Sequence, residues 1–433
     1  MPDLLTSPVD SHELSELGNG IKVLSVNIPH TRAATFAIYL DSGARYERDE
    51  LVGISHFAEH IVFKGTRKWP TAKLISEAVE GVGGSLNAAT GKELVTYWAR
   101  VPEERLELAA EVVCSLVRDA LLDPGEVEKE RRVLLEELDM SHDDPQSMLS
   151  LMAEQVTFPS HPLGRDIGGS PETLQTIGRD DLHRHIGADY LPASTVVAVA
   201  GPRAHGQVVE IADRFLGGWS SPNGTPRREK SNGLAGGQAV RFESRGLEQA
   251  NLCLTMPGIG FDDPDRWALS LMNVVLGDGM SSRLFQRIRE ELALAYSVYS
   301  FAGMHSDQGY FGVYAGVSPE RATPALQAIL REIEIFESGV TQEELDRAKE
   351  YAKGRLVLGI EDTRGVVSWV GRQQVLLGRV ITVGEALARL DAVTLEGVRA
   401  VATRIFKPED YRLAVLGPFS SEEPFRDLLR NEA

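Results

Sequence analysis

The stretch "GISHFAEHIVFKGT", residues 53–66, carries two histidines four positions apart, with a glutamate directly before the second. The stretch is rich in helix formers and shows no alternation of apolar and polar side chains, so we predict a helix. Residues four apart on a helix lie one turn apart on the same face. His56 and His60 should therefore project side by side, with Glu59 beside them.

Two imidazoles one helical turn apart can share a tetrahedral Zn²⁺, although an ordinary helix that carries histidines is the simpler alternative. A catalytic zinc needs a third protein ligand, and residues 124–145, "PGEVEKERRVLLEELDMSHDDP", offer candidates. Glu130 and Glu137 are two helical turns apart and share a face. A solvated charged face is the default interpretation of such a helix. The residues expected to pack it inward are Val127, Val133, Leu134 and Leu138.

Composition excludes several classes of protein. The chain has 433 residues and a formal net charge of −18, which argues against nucleic-acid binding because that needs a basic face. Its two cysteines, Cys114 and Cys253, stand far apart in apolar surroundings and predict two free thiols. No signal peptide and no apolar run of transmembrane length is evident. We therefore expect a cytoplasmic protein without a membrane partner.

An internal repeat organises the chain. "YLPASTVVAVAGP" (190–202) is similar to "FKPEDYRLAVLGP" (406–418), and "RVPEERLELAAEVVCSLV" (100–117) is similar to "GVSPERATPALQAILREI" (316–333). Both pairs have the same offset of 216 residues. Agreement of separate stretches on one offset indicates duplication of a structural unit.

The duplication predicts two homologous halves, residues 1–216 and 239–433. Between them, residues 217–238 are rich in Gly, Ser, Pro and charge, which is typical of a linker. Strand-like runs and long amphipathic stretches alternate in each half, so we predict an α+β fold of antiparallel-rich mixed sheets packed by helices. In the first half the predicted strands cover 22–28, 34–43, 94–101 and 194–201, and the predicted helices cover 103–119 and 124–140.

"HFAEH" followed by "LLEELDM" resembles the inverted-zincin metallopeptidases of the pitrilysin and insulin-degrading enzyme family. "GGSLNAATGKELVTYWARV", "HPLGRDIGGS" and "SSRLFQRIREELALAYSV" extend the resemblance over nearly the whole chain. The length, the duplication and the linker are similar to the bacterial processing-peptidase-like branch, which is related to the β subunit of mitochondrial processing peptidase. The resemblance implies a clamshell of two halves around a central chamber.

Carried over position by position, the resemblance assigns His56, His60 and Glu137 as ligands of one Zn²⁺ per chain. It makes Glu59 the general base. Glu130 becomes the carboxylate that orients a ligating histidine, a role that such sites usually require.

The resemblance also implies how substrate is held. "SLNAATG" would be an edge strand on which an extended peptide adds as a further strand, with contacts from Asn87 and Ala88. Arg289 and Tyr296 would hold the substrate carbonyl. The alternatives are a surface ion pair for Arg289 and a strand core position for Tyr296. Ala293 departs from the family pattern, which usually has a glycine nearby, and we expect a minor effect on the turn.

These implications predict a zinc endopeptidase that cleaves unfolded peptides or leader segments inside a closed chamber, expected as a homodimer. A non-catalytic scaffold homologue and one subunit of a hetero-oligomeric peptidase are the alternatives. The second half should have no metal site. At the offset of 216, the positions that match His56, Glu59, His60 and Glu137 are Met272, Val275, Leu276 and Lys353.

Overall fold

The computed structural model of the protein describes residues 7–220, 237 and 239–431. It has two compact units, each built on one β-sheet. The first unit takes its described residues from Met1–Asp139, Arg165–Glu229 and Leu356–Ala386. The second takes them from Met140–Gly164, Lys230–Arg355 and Leu387–Ala433.

The first sheet has six strands in the order β1-β2-β6-β3-β5-β4. The strands are β1 (Glu13–Glu16), β2 (Lys22–Asn27), β3 (Ala33–Leu40), β4 (Ser85–Thr90), β5 (Val95–Pro102) and β6 (Thr195–Gly201). Neighbours run antiparallel except β2 and β6, which run parallel. The mixed, antiparallel-rich sheet predicted from the alternating pattern is confirmed, and the four predicted strands correspond to β2, β3, β5 and β6.

Helices of the first unit lie along the sheet and around it. They are α1 (Ile54–Val62), α2 (Ala72–Glu80), α3 (Leu106–Asp119), α4 (Pro124–Asp143), α6 (Pro171–Thr176), α7 (Arg179–Asp189), α8 (His205–Leu216) and α13 (Thr363–Leu377). The last residues of α4 are grouped with the second unit. The two long helices predicted in the first half are thereby found as α3 and α4.

The second unit contains a five-stranded sheet in the order β7-β11-β8-β10-β9. Its strands are β7 (Ala239–Ser244), β8 (Ala250–Pro257), β9 (Ser297–Met304), β10 (Gly309–Val317) and β11 (Arg412–Gly417). The helices are α5 (Pro145–Thr157), α9 (Arg266–Leu276), α10 (Ala322–Glu334), α11 (Phe336–Gly339), α12 (Gln342–Gly359), α14 (Val383–Ala392), α15 (Leu395–Ile405) and α16 (Glu423–Asn431), with a π-helix at Phe285–Glu291. Helices α12 and α14 each continue into residues grouped with the first unit.

The two sheets repeat one topology. Strands β2, β6, β3, β5 and β4 of the first sheet correspond in order to β7, β11, β8, β10 and β9 of the second, and the single parallel pair falls at the same place. Strands β6 and β11 end at Gly201 and Gly417, which are separated by the offset found in the sequence. The repeat therefore corresponds to a repeated fold.

One pair of helices is exchanged between the units. Helix α5 comes from the first half of the sequence but packs on β8 and β11 of the second sheet. Helix α13 comes from the second half and packs on β3 and β6 of the first sheet. The compact units therefore differ from a simple division into 1–216 and 239–433. Most of the predicted linker, 217–238, lies outside the described residues.

A small hydrophobic cluster brings α1 against α4. Ile54, Phe57, Ala58 and Ile61 of α1 are buried, as the helical pattern predicts, and they cluster with apolar residues of α4. The α4 members are Val127, Leu134 and Leu138. Burying such side chains stabilises by about 1.5–3 kcal/mol each, so this contact fixes the faces that the two helices present. The inward packing predicted for Val133 is wrong, because it shares the face of Glu137 and is 45% exposed.

None of the described helices combines the length with the apolar character needed to cross a lipid bilayer.

Candidate metal centre

A buried carboxylate holds the N-terminus of α1. The backbone N–H groups of Gly53 and Ser55 donate to Glu47 Oε2 and Oε1, at 2.9 and 2.8 Å. These N–H groups have no partner within the helix, so the carboxylate satisfies them in place of a capping side chain. Burial raises the pKa of Glu47 despite these hydrogen bonds. The helix that carries the two histidines is thus fixed at its first turn.

A glycine-rich loop packs against the same helix end. Gly53 has φ +98° and Gly169 has φ +84°, a conformation that L side chains rarely adopt. A Cβ on Gly53 would lie 2.8 Å from the carbonyl oxygen of Gly168, and a Cβ on Gly169 would lie 2.5 Å from that of Val52. "HPLGRDIGGS" therefore provides the close backbone contact that braces α1.

Replacing Gly169 with Ala should destabilise the first unit and weaken metal binding. The left-handed backbone alone costs about 1–2 kcal/mol, and the new Cβ forces the start of α1 to move. Gly378→Ala is the matched control, because Gly378 also has positive φ (+70°) but nothing lies within 4 Å of its Cβ position. Thermal unfolding and zinc titration would measure both variants. Equal effects of the two substitutions would contradict the bracing role.

The predicted ligands lie together. His56, His60 and Glu137 each offer a ligand atom, and these atoms all lie within 4.8 Å of one another. His60 Nε2 lies 3.5 Å from Glu137 Oε2, and His56 Nε2 lies 3.9 Å from Glu137 Oε1. Zinc–ligand bonds of 2.0–2.2 Å in a tetrahedron separate the donors by about 3.4 Å. The two distances from the histidine nitrogens to the Glu137 carboxylate are near that spacing.

A hydrogen bond to Glu130 orients the imidazole ring of His60. Its Nδ1 donates to Glu130 Oε1 at 2.9 Å, and Lys64 Nζ lies 2.5 Å from Glu130 Oε2. Burial favours the neutral imidazole, but the hydrogen bond to Glu130 and the charge of Glu137 outweigh it and raise the pKa of His60. Burial likewise opposes ionisation of Glu130, yet its bonds to His60 and Lys64 keep the pKa of Glu130 below the usual range. His60 thereby presents Nε2 toward Glu137.

His56 occupies a different environment. Burial, followed by the neighbouring His60, lowers the pKa of His56, which favours the neutral form that binds metals. The rings of the two histidines stand edge to face with centroids 4.5 Å apart. The buried Nδ1 of His56 has no hydrogen-bond partner among the residues that the structure describes.

Glu59 lies beside the ligands and is hydrogen-bonded to the sheet. Thr90 Oγ1, at the end of β4, donates to Glu59 Oε2 at 2.5 Å. Two buried tyrosines lie close enough for the charge of Glu59 to act on them. Burial first, and this charge among the smaller causes, raise the pKa of Tyr97 and of Tyr190, so both hydroxyls stay neutral.

The residues present fit a zinc ion. Two imidazoles and a carboxylate form a His₂Glu ligand set typical of catalytic zinc, which keeps a fourth position for water or substrate. The side chain of Glu137 is 50% exposed, so the cluster opens to solvent. Among the described residues, this is the one group of three His, Cys, Asp or Glu side chains with metal-binding spacing.

The predicted substrate strand is an edge strand. β4 pairs with β5 and is the last strand of the first sheet within the described residues. Asn87 is exposed, and its Oδ1 accepts from the backbone N–H of Ala88 at 2.8 Å. The free side of β4 offers backbone donors and acceptors to an added strand.

Arg289 and Tyr296 meet within the second unit. The Arg289 guanidinium lies over the Tyr296 ring at 5.2 Å and over the Phe285 ring at 4.8 Å. Its Nε is 3.7 Å from Glu290 Oε1, so the alternative of a surface ion pair also has support. Tyr296 is 72% exposed, which makes the alternative of a core position wrong.

The turn between Arg289 and Tyr296 has the conformation that glycine favours. Ala293 has φ +49°, and its carbonyl accepts a hydrogen bond from Arg321. The departure from the family pattern thus falls on a residue in the left-handed region, at a cost of about 1–2 kcal/mol.

The second unit has apolar residues where the first has its ligands. Met272, Val275 and Leu276 lie on α9 and are buried. Lys353 pairs with Glu350 and Asp391 at 2.6 and 3.0 Å.

Two family models match the chain. "Insulinase (Peptidase family M16)" matches residues 22–170, and "Peptidase M16 inactive domain" matches residues 176–351. An uncharacterized zinc protease of Streptomyces coelicolor is 37% identical over 418 residues, which cover 95% of this chain and 90% of that protein. The uncharacterized zinc protease YmxG of Bacillus subtilis is 33% identical over 92% of this chain and 97% of its own length. This chain belongs to peptidase family M16.

Solved structures show the same fold. A protease from Helicobacter pylori superposes with a TM-score of 0.88 at 23% identity, and the match covers 94% of this chain and 99% of that one. A protein from Pseudomonas fluorescens described as a peptidase M16 inactive domain gives 0.87 at 20% identity, with 95% and 98% covered. The two-domain α+β architecture is therefore shared with these proteins.

Sequence reasoning missed three residues around the site. Glu47 holds the start of α1, Lys64 pairs with Glu130, and Thr90 bonds Glu59. The position of Lys64 near the site could have been predicted, because it follows His60 by four residues, which is one helical turn. Glu47 and Thr90 carried no such signal.

Proposed function

We propose that this protein is a zinc-dependent endopeptidase of the inverted-zincin type, with one zinc per chain held by His56, His60 and Glu137. The observation that carries the proposal is the cluster of three donors beside a further carboxylate, Glu59, on the same helix. The names of the zinc-protease relatives support the same chemistry. Within the family, the proposal places the chain in the processing-peptidase-like branch, on its length and duplication.

Glu59 is the proposed general base. A bound zinc would supply Lewis acidity, which lowers the pKa of water toward neutrality and polarises a carbonyl. The Glu59 carboxylate takes a proton from the attacking water and passes it to the leaving amine. Tyr97 and Tyr190, which feel the charge of Glu59, are buried and stay neutral.

Substrate is proposed to be an unfolded peptide or leader segment. It would add to the free side of β4, where the backbone beside Asn87 and Ala88 supplies hydrogen bonds. Arg289 and Tyr296 have the proposed role of holding the scissile carbonyl and stabilising its developing charge. A closed chamber between two halves, taken from the family resemblance, would admit extended chains and exclude folded ones.

A non-catalytic scaffold is the alternative function. The observation that favours it is the interaction of Arg289 with Glu290, which gives that arginine a purely structural use. Two observations stand against it. The chain keeps all four residues proposed for the zinc site, which are His56, Glu59, His60 and Glu137. It also carries the Arg289–Tyr296 pair. A self-sufficient homodimer is proposed over a hetero-oligomer for the same reason. Sedimentation with activity assays on each fraction would decide, since an inactive chain rescued by a partner protein overturns self-sufficiency.

The direct test is peptide-library cleavage by the purified chain with metal analysis. We expect one zinc per chain, cleavage within extended peptides, loss of cleavage on chelation, and recovery when zinc is restored. A chain that binds zinc but cuts no peptide, alone or with added zinc, would support the scaffold instead.

Replacing Glu130 with Gln should weaken zinc binding without abolishing it. Gln keeps the size of the side chain but loses the charge that orients His60 and pairs with Lys64. Loss of such an outer partner typically costs about 10–100-fold in metal affinity. Competition with a chromogenic chelator would measure it, and Glu126→Gln on the same helix, a partly buried residue that pairs with Lys129, is the control. Unchanged affinity in the Glu130 variant would contradict the orienting role.

A further inference from the structure

The carboxylate of Glu59 is held by one side-chain hydrogen bond among the described residues. Thr90 Oγ1 donates to Glu59 Oε2 at 2.5 Å. One oxygen is thereby fixed, and the other stays available to accept a proton. A hydrogen bond to an ionised acceptor is short and directional, so it selects one rotamer of a flexible side chain.

The donor itself sits on rigid backbone. Thr90 is the last residue of β4 and pairs with Val95 of β5. The turn that follows is closed by the Gly91 N–H, which donates to the Leu94 carbonyl at 2.8 Å. Threonine is β-branched and has a restricted χ1. The hydroxyl is therefore preorganised on the sheet and does not depend on α1.

Other hydroxyls near Glu59 are already engaged. Tyr97 and Tyr190 hydrogen-bond each other at 2.9 Å between their hydroxyl oxygens. The charge of Glu59 is among the smaller causes that raise the pKa of both tyrosines, but no hydrogen bond joins either of them to its carboxylate in the described structure. Among these hydroxyl groups, only that of Thr90 can therefore orient the Glu59 carboxylate.

We propose that Thr90 is a positioning residue that fixes Glu59 for proton transfer. Because Thr90 ends the strand to which a peptide would add, the same strand aligns the substrate and the base. A displacement of about 1 Å in a reacting group can cost about 100-fold in rate. The inference rests on the proposed function, since it needs Glu59 to be the base.

The experiment compares Thr90→Val with Thr90→Ser and Thr90→Ala in the full chain. Val keeps the shape and removes the donor, whereas Ser keeps the donor and removes the methyl. We expect kcat to fall about 10–100-fold in the Val and Ala variants, with KM within about twofold and one zinc per chain retained. Ser should keep kcat within about threefold of the original.

Thr96→Val is the matched control. Thr96 lies on β5 opposite Ala89, and consecutive strand positions alternate between faces, so its side chain is on the other face of the sheet from Thr90. It should leave kcat unchanged. Crystal structures of the zinc-loaded Val and Ser variants give a second readout: the Glu59 carboxylate should be displaced in the first and kept in place in the second.

Three results would overturn the proposal: full kcat in Thr90→Val, a Ser variant as slow as the Ala variant, or loss of zinc in step with kcat. Should Val prevent folding, the Ala and Ser pair decides by the same comparison. Failure of the proposed function would look different, because the unmodified chain would then cleave no peptide. Active unmodified protein, inactive Glu59→Gln and fully active Thr90→Val would overturn the role of Thr90 alone.

Discussion

Glu59→Gln protein is expected to keep one zinc per chain and to lose peptide hydrolysis by about 10²–10⁴-fold, the range for removal of a general base. Gln has the same shape and still accepts the hydrogen bond from Thr90, so the site keeps its geometry. An amide cannot take a proton from water near neutral pH. Glu59 is not among the three clustered donors, which is why zinc should stay bound. Initial rates on one peptide measure the loss of hydrolysis, and metal analysis measures the retained zinc.

The control for this variant is Glu80→Gln. Glu80 is exposed at the end of α2 and takes no part in the site. It changes the net charge by the same amount, so any long-range electrostatic effect appears in both proteins. Normal cleavage by the Glu59 variant would show that another group accepts the proton.

Glu137→Gln is expected to have the largest effect on the metal. Its carboxylate is the anionic donor of the cluster and faces both histidines, at 3.5 and 3.9 Å. A neutral amide oxygen is a poorer ligand and leaves two imidazoles to hold the ion. We expect zinc affinity to fall by more than about 100-fold, beyond the usual effect of losing an outer partner. Chelator competition measures the affinity, and added zinc should restore little activity.

Glu136→Gln separates ligand loss from a change in helix charge. Glu136 is the exposed neighbour of Glu137 on α4 and lies outside the cluster. It should bind zinc like the unmodified chain. Equal zinc affinity in the two variants would remove Glu137 from the ligand set and favour the scaffold function.

Most of what could be predicted about the site from the sequence follows from helical spacing. The pair His56 and His60 follows from positions four apart, and the burial of Phe57 and Ile61 follows from the opposite face of the same helix. Spacing alone does not say that Glu137 meets that face. The family resemblance supplied this, and the packing of α1 on α4 is its physical basis.

The contacts that hold the site in place were not predictable. Thr90 is 31 residues from Glu59 in sequence, and its side chain reaches α1 only because β4 folds beside it. Glu47 bonds backbone N–H groups, which every sequence supplies, so no residue pattern marks it. Val133 shows the opposite error: an apolar residue was assigned to the core although it follows the exposed face of Glu137.

The exchange of α5 and α13 between the two units was also not predictable from the sequence. An amphipathic pattern shows that α5 and α13 each have an apolar face, but it does not identify the sheet which that face covers. Tertiary packing makes the choice, and here it crosses the boundary of the duplicated halves. The similarity of the two sheets was more predictable, because β6 and β11 carry the repeat that revealed the duplication.

The position of α13 bears on how the chain is made. A ribosome has delivered all six strands of the first sheet once residue 201 is synthesised, but the helix that packs on β3 and β6 begins only at Thr363. Domains generally fold as their sequence emerges, N-terminal part first. The unit that carries His56, His60 and Glu137 therefore cannot complete its core until most of the chain has been translated, and a nascent chain that stops before α13 leaves an apolar sheet face open to aggregation.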